Sequence, residues 1–392
     1  MKTPATWLLI LVLTAAALQL ETVRSQAAPS ANSLHPVAPP DNPITPAKVA
    51  LGRLLFWDPI LSGSKDVACA TCHHPVFGYS DGLGLSVGVN GVGLGNERKF
   101  VAGAPEHFAK RNSQTVLNSA LNGLRESGTA VASAAPMFWD LRVSGLERQA
   151  LEPMKSAEEM RGSAYTETAA IDAVVARLRA IPGYATLFNT AFGGGKGAVT
   201  APNLARALAT FERTLVAVNS PYDRYLRGDR TAMSATQIAG MEAFERTGCS
   251  GCHSGPMFSD YRAHILGAPD NRAAPVADGG VNDTRAFRTP SLRNLASTGP
   301  YMHSGAFASL DDVLRFYNRS SRGRDRGRGR NNAALNVSDR LSQTDPLLRE
   351  LRGVRRNGEE IKAFLLALND DRYDRTIPER VPSDLRPGGS ID

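Results

Sequence analysis

Cys69-Ala-Thr-Cys72-His73 and Cys249-Ser-Gly-Cys252-His253 decide how the rest of this chain is read. Between them they use all 4 of its cysteines. Cys-x-x-Cys followed directly by His is the attachment signature of c-type haem. Two thiols capture the two vinyl groups as thioethers, and the adjacent imidazole is placed beneath the iron as proximal ligand. A lone copy also fits a redox dithiol or half a zinc site, and an even cysteine count in an exported chain would by default mean disulfides. Two copies that consume every cysteine leave haem attachment as the reading. Cys69, Cys72 and His73 then serve one haem, and Cys249, Cys252 and His253 a second.

Outward from the motifs, the composition supports this. At 392 residues, 42% hydrophobic and 21% charged, the chain can bury sizeable cores, which excludes a disordered chain or a small disulfide-stapled scaffold. The one long apolar run, Trp7 to Leu20 behind Met1 and Lys2, is too short to cross a bilayer of about 30 Å. With Ser25 and Ala27 at the −3 and −1 positions, residues 1–27 read as a signal peptide. The expectation is an exported protein with no membrane span, and residues 28–45, rich in Pro, Ala, Ser and Asn, form a flexible leader. The net charge of +7 is compatible with an acidic partner.

Apolar spacing predicts helices over Pro46–Trp57, Ile171–Ile181, Ala201–Val218 (with Pro202 in its first turn), Ser234–Thr247, Leu310–Tyr317 and Glu359–Leu368. Gly78–Gly103 reads as a long loop over the first haem. It is no phosphate cradle, because no strand precedes it and no helix opens at its end. Strand signals are sparse. The fold class that fits is mainly α: two cytochrome-c-like helical domains, residues 46–195 and 200–392, each around one haem. Within the second, residues 318–334 carry Arg319, Arg322, Arg324, Arg326, Arg328 and Arg330 against Asp325, interleaved with glycine. Such a run cannot pack and is expected to be a disordered basic loop, either a solvated insertion or a dock for an acidic protein near Tyr317. No aromatic platform accompanies the charge, so nucleic acid is not an expected partner.

Leu51-Gly-Arg-Leu-Leu-Phe56, Arg288-Thr-Pro-Ser-Leu-Arg-Asn294 and Pro300-Tyr-Met-His-Ser-Gly305, in this order around the two motifs, give the chain a family resemblance. From about Asn42 to Leu368 it resembles the bacterial di-haem cytochrome c peroxidases and their MauG-type relatives. The resemblance implies a periplasmic enzyme in which the N-terminal haem reacts with hydrogen peroxide and the C-terminal haem transfers electrons. Phe138-Trp139-Asp140 looks like the family's motif whose tryptophan lies between the haems, so Trp139 is the candidate relay; without the resemblance it would read as a core residue. Gln149 and Glu159 match the distal glutamine and the catalytic glutamate, the latter a general base and then acid in O–O cleavage. Glu158 is its rival.

The resemblance also bears on ligands and partners. Relatives that need reductive activation close the first iron with a loop histidine, but Val87–Asn90 occupy that place here, so an open site is expected, with His107 as the alternative. Where the peroxidases place a methionine ligand at the second haem, counting from His303 reaches Tyr317, the MauG-type pattern; the alternatives are Met302 and Met257. A phenolate would lower the potential relative to a thioether. Asn112, with the carbonyls of Thr298 and Pro300, matches the family's Ca2+ site. Gln114 and the long Gly123–Ala135 connection depart from the pattern there. The implied cofactors are thus two haem c and Ca2+. Three functions follow: a peroxidase drawing on a small periplasmic donor (cytochrome c or cupredoxin), a MauG-like enzyme using a bis-ferryl state to oxidise Trp or Tyr in a partner protein, or a non-catalytic di-haem electron carrier. Pro153, after Gln149-Ala-Leu-Glu, is as in MauG-type pockets, and a homodimer is common in the resembled family.

Overall fold

The computed structural model describes residues 34–125, 127–322 and 344–392. The expected signal peptide, the first part of the leader and residues 323–334 of the expected Arg/Gly-rich loop lie outside the described residues. The described chain is mainly helical, and its strands form three antiparallel pairs of two residues each. No described helix is long and apolar enough to cross a membrane.

The helices are α1 (Pro46–Trp57), α2 (Cys69–Cys72), α3 (Leu146–Gln149), α4 (Ala170–Ala180), α5 (Pro182–Phe192), α6 (Ala201–Glu212), α7 (Pro221–Leu226), α8 (Ala235–Thr247), α9 (Leu310–Ser320), α10 (Leu347–Glu350) and α11 (Gly358–Ala367). Several of their starts are set by side-chain caps. The Thr45, Thr200 and Ser234 hydroxyls accept from the backbone N–H groups of Lys48, Asn203 and Gln237, and prolines sit in the first turns of α1 and α6.

Two helix crossings organise the packing. α1 lies on α6 so closely that a Cβ on Gly52 would stand 2.1 Å from the Ala207 carbonyl oxygen. α8 lies on α11 with Gly240 in the same role, 1.9 Å from the Glu360 carbonyl oxygen. Around the first crossing Leu51, Leu55, Phe56, Trp57, Leu204 and Phe211 are wholly or almost wholly buried. Around the second, Met233, Phe244, Phe258, Ile361, Phe364 and Leu368 form a separate core.

The first core draws on residues from both sides of 195–200. α6, together with Leu215, Ala217, Tyr373 and Val381, belongs to the first core, because α6 packs most of the apolar face of α1, with Tyr184 and Phe188 of α5 in the same cluster. The C-terminal tail also returns to the first motif: Gly388 N–H donates to the Trp57 carbonyl (2.7 Å), Ser390 N–H to that of Asp66 (2.8 Å), and Thr71 Oγ1 to the Gly388 carbonyl (2.8 Å).

Other boundaries move for local reasons. α6 stops at Glu212 instead of Val218, because the Asn118 side chain pairs with both backbone groups of Ala217 (2.7 and 3.0 Å) and holds that segment out of the helix. α5 was not expected; Pro182 opens it and Tyr184 and Phe188 are wholly buried. α9 continues to Ser320, so the first residues of the expected 318–334 loop are helical.

Candidate active site

The first motif forms the short helix α2, and the second a tight 3-10 turn after α8, entered through Gly248 at φ 93°. All four thiols are unpaired. In each motif a backbone carbonyl a few residues on lies against the histidine Nδ1: Tyr79 O at 3.1 Å from His73, and Phe258 O at 3.0 Å from His253. A carbonyl accepts only, so Nδ1 carries the proton and Nε2 is left as the ligand nitrogen. Burial lowers both imidazole pKa values, which keeps the rings neutral as metal binding requires.

A single cavity of about 660 Å³ is lined by both motifs. Trp139, Gln149, Glu159 and Tyr317 line it, as do Asn112, Thr298 and Pro300. Glu159 stands on a single π-helical turn, Ala157–Arg161, whose start is held by Ser156 Oγ accepting from the Glu159 N–H (3.3 Å). Burial raises the pKa of the Glu159 carboxyl. Its rival, Glu158, is exposed and accepts from Ser156 Oγ at 3.0 Å. The loop from 87 to 93 backs this turn. A Cβ on Gly88 would lie 2.2 Å from the Glu158 carbonyl oxygen and 2.4 Å from that of Glu159, and buried Arg98 pins the loop by donating to the carbonyls of Gly88 (2.7 Å), Gly93 (3.0 Å) and Ser390 (2.8 Å).

Gln149 ends α3 with its Oε1 buried and without a partner among the described residues. A buried acceptor left unpaired is costly, and in a cavity wall it suits a site that receives a ligand donor. Trp139 Nε1 donates to the Asn112 carbonyl (3.0 Å), while the Trp139 carbonyl accepts from Arg288 N–H (2.7 Å). Tyr317 projects from α9; burial and the nearby Cys252 and Cys249 push its phenol pKa up. Of the alternatives, Met257 is packed beside Leu121 and Leu124 away from the cavity, while Met302 lines it. His107 is exposed and outside the cavity wall. At the expected Ca2+ position, Asn112 Nδ2 donates to the Leu83 carbonyl (2.9 Å), which leaves Oδ1 as the side chain's remaining acceptor.

Three cavity features escaped the sequence reading. His264 is clamped by Asp260 (2.9 Å to Nε2) and Asp345 (2.5 Å to Nδ1), beside Cys252, and is pushed up to about 11 by Asp260 first. Arg111 pairs with Asp140 (2.6 Å) and Asp278 (2.5 Å). Glu212, on the buried side of α6, also faces the cavity. Asp345, Asp140 and Asp278 come from distant parts of the chain, whereas Asp260 lies only four residues before His264 and Glu212 is a charge among apolar residues of one helix face.

Residues 46–231 match the profile of the family described as di-haem cytochrome c peroxidase. The chain is 42% identical over 288 residues to a methylamine utilization protein MauG of Methylorubrum extorquens, covering 72% of this chain and 71% of that protein. The chain belongs to the di-haem cytochrome c peroxidase and MauG family. It is also 33% identical over 342 residues to the cytochrome-c peroxidase IdrP1 of Pseudomonas sp. (strain SCT), covering 78% and 81%. Among solved structures it is similar to a MauG-like protein associated with microbial copper homeostasis, with a TM-score of 0.67 and 26% identity, covering 86% of this chain and 93% of that one. Family membership makes the chain a haem-dependent oxidoreductase. Free thiols, anchored histidines and an orphan acceptor around one cavity fit that cofactor.

Proposed function

We propose that this family member is a periplasmic di-haem c-type peroxidase that reduces hydrogen peroxide to water. Cys69 and Cys72 hold the peroxidatic haem with His73 as ligand. Cys249 and Cys252 hold the electron-transfer haem with His253 and Tyr317. When bound, the haems supply the redox-active iron that accepts peroxide and passes electrons. The chain's own residues do the rest. Glu159 takes the proton from one peroxide oxygen and returns it to the other as the O–O bond breaks. Gln149 orients peroxide through its unpaired Oε1, and Trp139 bridges the two haem sites. Asn112, Thr298 and Pro300 hold Ca2+ between them. The two cytochrome-c-like halves are read from the paired crossings α1/α6 and α8/α11.

The observation that carries this reading is the half-buried Glu159 in the same cavity wall as Gln149 with its unpaired Oε1, whereas Glu158, also at that wall, is exposed and held by Ser156 Oγ. A passive electron carrier would leave Glu159 and Gln149 without a task. The electrons come from a small cytochrome c or cupredoxin. The second reading, MauG-like oxidation of Trp or Tyr in a partner protein, is favoured by Tyr317 against the second motif and by the 42% identity to a MauG protein. An oxidisable partner then replaces the donor.

Stopped-flow visible and near-infrared absorption tests both. The oxidised, haem-loaded protein is mixed with one equivalent of hydrogen peroxide and no reductant. An immediate, long-lived oxidised species with a near-infrared charge-resonance band supports an open first site and MauG-like coupling. Reactivity only after reduction of one haem supports the peroxidase and ends the MauG-like reading. No reaction in either state removes the peroxide function.

A further inference from the structure

Glu212 is a buried carboxyl on α6 with no task in the scheme above. It is 5% exposed, its Oε2 has no hydrogen-bond partner among the described residues, and it lines the cavity. It borders the first motif from the Cys69 side, close enough for its charge to disfavour that thiolate, as Glu159 does for Cys72. Two carboxyls thus stand at the same haem attachment.

The surrounding cations are engaged with other acceptors, although Arg53 Nη1 and Arg213 Nε stay buried without a partner among the described residues. Arg213, its neighbour in sequence, is bidentate to Glu147 of α3 (2.6 and 2.8 Å). On α1, Arg53 pairs with Asp374 (2.5 Å) and Lys48 donates to Asn42 (3.0 Å). On α4, Arg177 donates to the carbonyls of Ile60 and Gly63, and Arg179 to that of Val199. Burial therefore prevails: against the opposing Arg213, and with help from Glu147, it pushes Glu212 up to about 8. At neutral pH such a carboxyl is an O–H donor.

The stoichiometry creates a use for that proton. Reduction of peroxide follows H2O2 + 2 H+ + 2 e− → 2 H2O, the electrons coming from the donor protein or the oxidised partner. When the O–O bond breaks, peroxide's own two protons, relayed by Glu159, complete the first water. The second water needs two further protons from the protein. We propose that Glu212 is a second proton-holding group of the first haem pocket and supplies one of the protons that complete the second water. This rests on the peroxide reading above.

The test uses haem-loaded, full-length wild type, Glu212→Gln and Glu212→Asp, matched for haem content. Infrared spectroscopy reads the group directly. A carbonyl stretch of a buried neutral carboxyl is expected at pH 7, lost in Glu212→Gln and shifted but present in Glu212→Asp. In stopped flow, Glu212→Gln should react with peroxide as wild type does, while return to the resting state under reductant slows about tenfold and loses its pH dependence. Glu212→Asp should recover part of that rate. If Glu212→Gln removes no carboxyl band, or its return phase matches wild type, Glu212 is not the donor and the proposal falls alone. A wild type inert to peroxide overturns the proposal together with the reading beneath it.

Discussion

The indole N–H of Trp139 donates to the backbone carbonyl of Asn112 at 3.0 Å, which fixes the ring in the wall of a cavity bounded by both Cys-x-x-Cys-His motifs. The Trp139 carbonyl is bound in turn by Arg288 N–H. Trp139 therefore ties the first motif's surroundings to the second's. Trp139→Phe should keep the fold, cost about 1 kcal/mol for the lost hydrogen bond, and slow electron passage between the haems. Denaturant unfolding reads the first effect, and rapid mixing with a reduced donor reads the second. Undiminished electron passage would return Trp139 to a packing role.

Glu159→Gln should lower the rate of the peroxide reaction by about 10²- to 10⁴-fold. Glu158→Gln should stay near wild type, since that carboxylate is exposed and held by Ser156. A general base must be ionised, and burial favours its neutral form. The wild-type rate should therefore rise with pH through a value above the ordinary carboxylate range, and Glu159→Gln should lack that rise. Stopped-flow rates against pH decide it.

Gly88→Ala should slow the same reaction without touching any reacting group. Its Cβ would collide with the backbone of Glu158 and Glu159, and Arg98 holds the loop against retreat. Overpacking of this kind costs about 1–3 kcal/mol, so a lower unfolding midpoint should accompany the slower rate. An unchanged peroxide rate would show that the loop does not position Glu159.

Tyr317→Met should raise the potential of the second haem, on the order of hundreds of mV, because a neutral thioether replaces an anionic phenolate. Spectroelectrochemical titration and the near-infrared spectrum of the loaded protein check it. An unchanged potential would point to Met302 as the ligand.

Asp278→Asn should destabilise the protein by about 1.5–3 kcal/mol, because it strips one charged partner from Arg111 while Asp140 remains. Burial alone would raise the Asp278 pKa, but the Arg111 hydrogen bonds outweigh it and hold the group at about 2. A depressed carboxyl contributes stability that is fully present above its unfolded value of about 3.9 and is lost as the pH falls towards 2. Urea unfolding between pH 6 and pH 2 should show this loss in wild type and a smaller one in Asp278→Asn, where other depressed carboxyls such as Asp374 remain.

Much of the fold was legible because helix caps and apolar periodicity are local. Thr45-Pro46, Thr200-Ala-Pro202 and Ser234 announce α1, α6 and α8, and each helix begins there. The end of α6 was not legible, since Asn118, remote in sequence, takes the backbone of Ala217. Neither was the division between cores. Nothing near α1 says that its partner is α6, or that residues near the C-terminus will close over the first motif.

By itself the sequence determined the chemistry that needs neighbours in the chain. Cys69-Ala-Thr-Cys72-His73 and Cys249-Ser-Gly-Cys252-His253 fix what can be attached, because thiols and imidazole must lie within a single turn. Tertiary structure decided which side chains face those turns. It left Glu159 half-buried and Glu158 exposed at the cavity wall, left Gln149 Oε1 unpaired, clamped His264 between Asp260 and Asp345, and buried Glu212 beside Cys69. These outcomes depend on which dielectric and which partners surround a group. Both are set by segments that meet only when the chain folds.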